Sequence, residues 1–119
     1  MDYRVKETGN KRYIECIEGN ECLKNEQDAL ELVVICHQND AGLLILHEEN
    51  IAQDFFELKT GVAGNILQKF INYSIKVAAV LEPERVKEGR FREMVIEANQ
   101  GSHFRVFHNY MEAEEWLIR

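Results

Sequence analysis

Leu43-Leu44-Ile45-Leu46 is an unbroken apolar run, and Ile75-Lys76-Val77-Ala78-Ala79-Val80-Leu81 is nearly one. A strand with one wet face alternates polar and apolar residues, because its side chains project to opposite faces in turn. A continuous run of strand length instead suits a strand covered on both faces, as in a parallel sheet flanked by helices. Both runs are far shorter than the roughly 20 apolar residues needed to cross a bilayer. They read as two inner strands of an α/β domain.

The rest of the chain is organised around them. Between the two runs, Asn50-Ile51-Ala52-Gln53 reads as a capping box opening a short helix through Phe56. Thr60-Gly61 restarts that helix, with Ile66, Phe70 and Tyr73 on one side and Leu67 and Ile71 beside them. Upstream, residues 3–7 and 11–17 are strand-like, and Thr8-Gly9-Asn10 supplies hairpin chemistry between them. Gly19-Asn20 breaks the second run. A helix over about 26–38 follows, capped by Asn25, with Glu26 and Asp28 at the positive end of its dipole. Leu30, Val33, Val34 and His37 are its expected apolar stripe. Downstream, Pro83 closes the second buried strand. A helix over about 85–99 carries Phe91, Met94, Val95 and Ala98, and Gly101 stands where a helix-terminating glycine belongs. Residues 103–108 form a last strand around Phe104, Val106 and Phe107. Asn109-Tyr110-Met111-Glu112 is a capping box before a helix with Ala113, Trp116 and Leu117 inward.

The order β-β-α-β-α-β-α-β-α predicts one mixed five-stranded sheet, mostly parallel, with an N-terminal β-hairpin and helical crossovers. A chain of 119 residues is the usual size of one domain. No linker, repeat or low-complexity segment divides it, so 1–119 is expected to be a single domain.

The stretch from Asp54-Phe55-Phe56-Glu57-Leu58-Lys59-Thr60-Gly61-Val62-Ala63-Gly64 through Asn65-Ile66-Leu67-Gln68-Lys69-Phe70-Ile71-Asn72-Tyr73 is distinctive. With Glu97-Ala98-Asn99-Gln100-Gly101 and Glu112-Ala113-Glu114-Glu115-Trp116-Leu117, it closely resembles an uncharacterised family of small bacterial proteins, domain-of-unknown-function family 4180. The resemblance covers nearly the whole chain and implies no activity. Where that family usually carries a Gly-Asp pair and a loop with Ser and Lys, this chain reads Leu81-Glu82-Pro83-Glu84-Arg85. The element order is also similar to that of the anti-sigma-factor antagonists and the cytoplasmic domains of sulphate transporters. In those antagonists a Ser-Gly opening a helix after a central strand is phosphorylated. By that likeness Thr60-Gly61, with Asp54 and Lys59 just upstream, is the corresponding switch or binding position.

Independently of any family, a helix start at Thr60-Gly61 presents free N–H groups and a partial positive charge that suit a phosphate or carboxylate. A second candidate is the rim beyond the carboxyl ends of the strands, where open parallel sheets bind ligands. There stand His47, Glu48, Glu49 and Asn50, then Glu82 and Glu84, then His108 and Asn109. Two histidines among carboxylates are metal-ligand types. With one strand between theirs, however, the two histidine backbones would lie about 9.6 Å apart. Cys36-His37 is no nucleophile pair, because neighbouring helical positions point apart. Of Phe55, Phe56 and Leu58, two are expected in the core, as is Trp116.

Composition narrows the function. The net charge is −7, and the 14 Lys and Arg residues form no basic run, which speaks against nucleic acid and anionic membranes as partners. Cys16, Cys22 and Cys36 give neither an even count nor a CxxC pair, and Cys16 and Cys36 read as buried thiols in a cytoplasmic, reducing setting. No phosphate loop, nucleophile elbow or zinc-binding His pair occurs, and no cofactor is expected. A non-enzymatic regulatory or protein-interaction module is the favoured reading, with another protein or a second copy as partner. A binder of a small anion or acyl chain is the alternative, and a metal-dependent enzyme is a third.

Overall fold

The two unbroken apolar runs are the middle of the sheet. The computed structural model describes residues 2–17, 19 and 21–119. Strands β1 (Tyr3–Thr8), β2 (Lys11–Cys16), β3 (Leu43–His47), β4 (Lys76–Val80) and β5 (Phe104–Phe107) lie in the order in which they occur. β1 is antiparallel to β2, and every later pair is parallel. The fold is therefore α/β, with one mixed, mostly parallel five-stranded sheet. Gly9 alone supplies the positive φ, +61°, of the two-residue turn that joins β1 to β2.

Helices α1 (Glu26–Gln38), α2 (Gln53–Phe56), α3 (Val62–Asn72), α4 (Gly89–Ala98) and α5 (Tyr110–Leu117) complete the chain. Each crossover places its strand beside the last, always in the same direction, and the right-handed rule for parallel connections puts their helices on a single side. The sheet order never reverses, so α1 to α4 all fall on one face. There Ile14, Leu44, Val77 and Phe104 form one row across the sheet and Cys16, Leu46, Ala79 and Val106 the next. α5 folds onto the other face. Its Ala113, Trp116 and Leu117 pack against Tyr13, Ile45 and Ala78. Lys76 fixes its end, donating from Nζ to the Trp116 carbonyl at 3.0 Å while lying over the Trp116 ring.

Several local expectations change. On α1 the buried stripe is Ala29, Leu32, Val33 and Cys36, whereas Val34 and His37 are exposed. The segment is apolar on more than one side, so two stripes with the same spacing were available. Neighbouring elements chose between them. The short helix ending at Phe56 exists, but its N-cap is Ala52, and no side chain caps it. The helix expected over 85–99 is two pieces, a 3₁₀ turn Pro83–Val86 and then α4. Gly89, the first residue of α4, adopts φ +84°, a conformation that interrupts the hydrogen-bond ladder. Gly101 does not end α4 in a left-handed conformation; Asn99 is the C-cap. Tyr73 caps α3 and is exposed instead of lining its inner side. The expected break at Gly19-Asn20 falls partly outside the described residues, with Gly19 itself at φ +85°. Cys16, Cys22 and Cys36 are all buried, as are Phe55, Phe56 and Trp116.

Candidate functional site

β3 ends at His47, and the chain leaves it through a 3₁₀ turn, Glu48–Asn50. Asn50 is fully buried and does not cap α2. Its Oδ1 accepts from the His47 backbone N–H at 2.7 Å, and its Nδ2 donates to the Ile17 carbonyl at 2.8 Å. Its own carbonyl accepts from the backbone N–H groups of Cys22 and Leu23. One amide thus ties the exits of β2 and β3 together, a use that leaves few free polar atoms for a ligand.

His47 is equally committed. Its ring accepts from the Asn50 backbone N–H, and Nε2 lies 2.8 Å from Glu15 Oε2. A ring nitrogen that accepts from a backbone N–H carries no proton. The bonds therefore assign the neutral tautomer, with Nε2–H donating to the Glu15 carboxylate. Both side chains are buried, and exposed Arg4 reaches to 3.9 Å of Glu15. The His47 ring stacks on Tyr110. Beyond it, the Tyr13 hydroxyl contacts the Tyr110 hydroxyl and donates to the Glu114 carboxylate. This polar chain joins β2 to α5.

Burial pushes the Tyr13 phenol far above its ordinary value of 10.0, and the bond to Glu114 adds to the shift. Burial also raises Tyr110. A phenol that stays protonated when folded but ionises when unfolded favours unfolding at high pH. Stability is thus intact below about pH 10 and falls as pH rises beyond it. Alkaline unfolding, followed at the tyrosinate absorbance band, should set in above about pH 10 and shift upward in Tyr13→Phe. An alkaline midpoint unmoved by that substitution would contradict the role given to Tyr13.

The next rim residue, Glu48, joins the exits of β3 and β4. It accepts from the Glu82 N–H at 2.8 Å and from Arg85 Nε at 3.2 Å. Arg85 also donates to Gln53 at 2.9 Å, and its guanidinium lies 4.2 Å from the centre of the Phe56 ring. The two connections then diverge and leave an open cleft of about 710 Å³. Phe56 and Phe91 form its floor, and Lys59, Arg85 and Arg90 stand around it with Glu57, Glu84 and Glu88. The fourth rim residue, His108, donates from Nδ1 to the Leu81 carbonyl at 3.0 Å. Among the described residues no three His, Cys, Asp or Glu side chains are placed to hold a metal ion.

Thr60 does not open α3. It ends a 3₁₀ turn, Leu58–Thr60, and Gly61 at φ +79° is the residue before the helix. The Thr60 hydroxyl reaches the carbonyls of Asp54 and Glu57, each at 2.8 Å, and accepts from the Val62 N–H at 3.2 Å. Asp54, Thr60 and Gly61 therefore share one exposed turn, and Lys59 faces the cleft beside it. His47 and Asn50 belong to the buried staple, Glu48 to the Arg85 bridge, and His108 to neither.

The sequence did not single out Glu15, Tyr13 or Tyr110, nor Arg85, Arg90 and Phe91 as neighbours of Lys59. Glu15 carried one faint signal, a carboxylate between Ile14 and Cys16 in a strand with little polar alternation. No helix of the described residues is long and apolar enough to cross a membrane. A family profile described as a domain of unknown function, DUF4180, matches residues 8–117. No curated protein and no solved structure matches the chain.

Proposed function

This chain belongs to the DUF4180 family, and from that premise we propose that it is a non-enzymatic protein-interaction module that docks a partner across the carboxyl-end cleft. The observation that carries the reading is a division of labour among polar side chains. The groups capable of chemistry are engaged with other groups of the chain: His47 with Glu15, Glu48 with Arg85, His108 with a carbonyl, Thr60 with the carbonyls of its own turn. The cleft, in contrast, is open, has an aromatic floor, and includes Lys59 and Arg90, which form no ion pair among the described residues.

The partner is a peptide segment with an aromatic or aliphatic anchor and an acidic flank. The anchor fits the Phe56–Phe91 floor. Glu57, Glu84 and Glu88 balance Lys59, Arg85 and Arg90 in the cleft, so an acidic flank there does not meet the chain's net charge of −7. The start of α4 adds a partial positive charge. Thr60 is the switch. Phosphate on its hydroxyl removes the donor that holds the Asp54–Thr60 turn and sets a dianion beside Lys59.

An array of synthetic peptides varied in acidic and aromatic content tests the reading. Acidic–aromatic peptides should be retained, with affinity falling roughly tenfold in Lys59→Glu/Arg90→Glu, the size expected for reversing two exposed charges. Thr60→Glu should weaken the same peptides. Retention of no peptide class, or equal binding by the charge-reversed variant, would overturn it.

A further inference from the structure

We infer that the chain has a second binding site, at the opposite end of the sheet, for an apolar chain that ends in an organic cation such as an ammonium group. The last turns of α3 and α4 part over the first residues of β4 and β5. Between them lies an open cavity of about 290 Å³, lined by Leu67, Phe70, Val77, Met94, Ala98 and Phe104. That volume stands at the lower end of small-molecule sites. A wall of this composition offers water almost no hydrogen-bond partners, so an apolar group replaces water there at little cost.

The wall selects the body of the ligand, and the mouth selects the sign of its head. Glu97 stands at the rim, on the final turn of α4. α3 ends at Asn72 and α4 at Ala98, so both helices turn their negative ends toward this side. Of the lining side chains none is a lysine or arginine, and His103 offers an imidazole. Arg105 donates from Nε to the Gly101 carbonyl, but its guanidinium lies over Trp116 on the other face of the sheet. A carboxylate-ended acyl chain would bring its charge against Glu97 and two helix C-termini, in a chain already at −7. A cationic head meets attraction from each of them.

The site is independent of the carboxyl-end cleft, so Lys59→Glu/Arg90→Glu should leave it untouched. The probes are n-alkylammonium ions from butyl to octyl and alkylcarboxylates of the same lengths, titrated calorimetrically and by the Met94 methyl resonance. Ammonium affinity should rise up to about fourfold per added methylene until the cavity is filled. Carboxylates of equal length should bind at least roughly tenfold more weakly. Glu97→Gln, an exposed change that leaves the wall intact, should erase most of that preference while keeping the dependence on chain length. Ala98→Leu, which grows into the cavity, should abolish binding. Equal affinity for the two head groups in the unsubstituted chain would overturn the proposal, as would a Met94 methyl signal that no ammonium ion moves.

Discussion

His47→Ala should lower stability by about 3 kcal/mol, the lower end of the range for removing one partner of a buried ion-paired or charge-assisted contact. The cost comes mainly from what is left behind. Glu15 is 4% exposed, and without the Nε2–H donor its carboxylate stays buried with the Tyr110 hydroxyl and the distant Arg4, at 3.9 Å, as its remaining partners. The Asn50 N–H loses its acceptor in the same step. For a chain of this length the melting temperature should fall on the order of 12 °C. Glu15→Gln tests the account from the other side, because an amide oxygen can still accept from His47. That change should cost about 1 kcal/mol. Replacing both residues by leucine should recover much of the loss, since no charge is then stranded. Recovery should be incomplete, because leucine cannot accept from Asn50. If His47→Ala melts within about 3 °C of the original, the pair is less isolated from water than its burial implies.

The same pair marks where sequence reading stopped. The strands and the covered helices are written in local patterns: unbroken runs for β3 and β4, a Gly-Asn turn, the Asn25 and Asn109 caps. Both caps form as expected, accepting from Asp28 and Glu112. These signals act within a few residues. What was not legible depends on residues far apart in the chain. Glu15 and His47 are 32 positions apart, and nothing near either one names the other. Asn50 reads as a helix cap because Asn commonly does that work. In the fold it faces the carbonyl of Ile17 and cannot also cap α2. The choice of stripe on α1 failed for a related reason, since Val34 and Leu32 are equally apolar and only the packed neighbours distinguish them. Thr60-Gly61 reads as a helix start, yet Gly61 alone is the residue before α3 and Thr60 lies outside it. Its hydroxyl instead closes the turn before the helix, a geometry that depends on Gly61 being left-handed.

Phe55→Ala should cost about 3–5 kcal/mol and loosen the cleft without touching its surface. Phe55 is completely buried, and its ring meets those of Phe56, Phe91 and Phe104 edge-on at centroid distances of 5.7, 6.2 and 6.3 Å. α2 is only four residues long and has no side-chain cap. A single helical turn of that kind does not persist in water by its own hydrogen bonds. Burial of Phe55 and Phe56 is what pins the segment to α4 and β5. Truncating Phe55 therefore removes packing and frees the turn that carries Lys59 and Thr60. Urea unfolding should show the stability loss. Hydrogen exchange should show lost protection at the amides of Glu57, Thr60 and Gly61, whose bonds close those turns. Phe55→Leu, which keeps most of the volume, should cost on the order of 1.5 kcal/mol and preserve that protection. Peptide retention should follow the same order, weakest in Phe55→Ala although Phe55 does not line the cleft. If protection at Thr60 and Gly61 survives Phe55→Ala, their backbone bonds hold the turn unaided, and the link from aromatic core to cleft is broken.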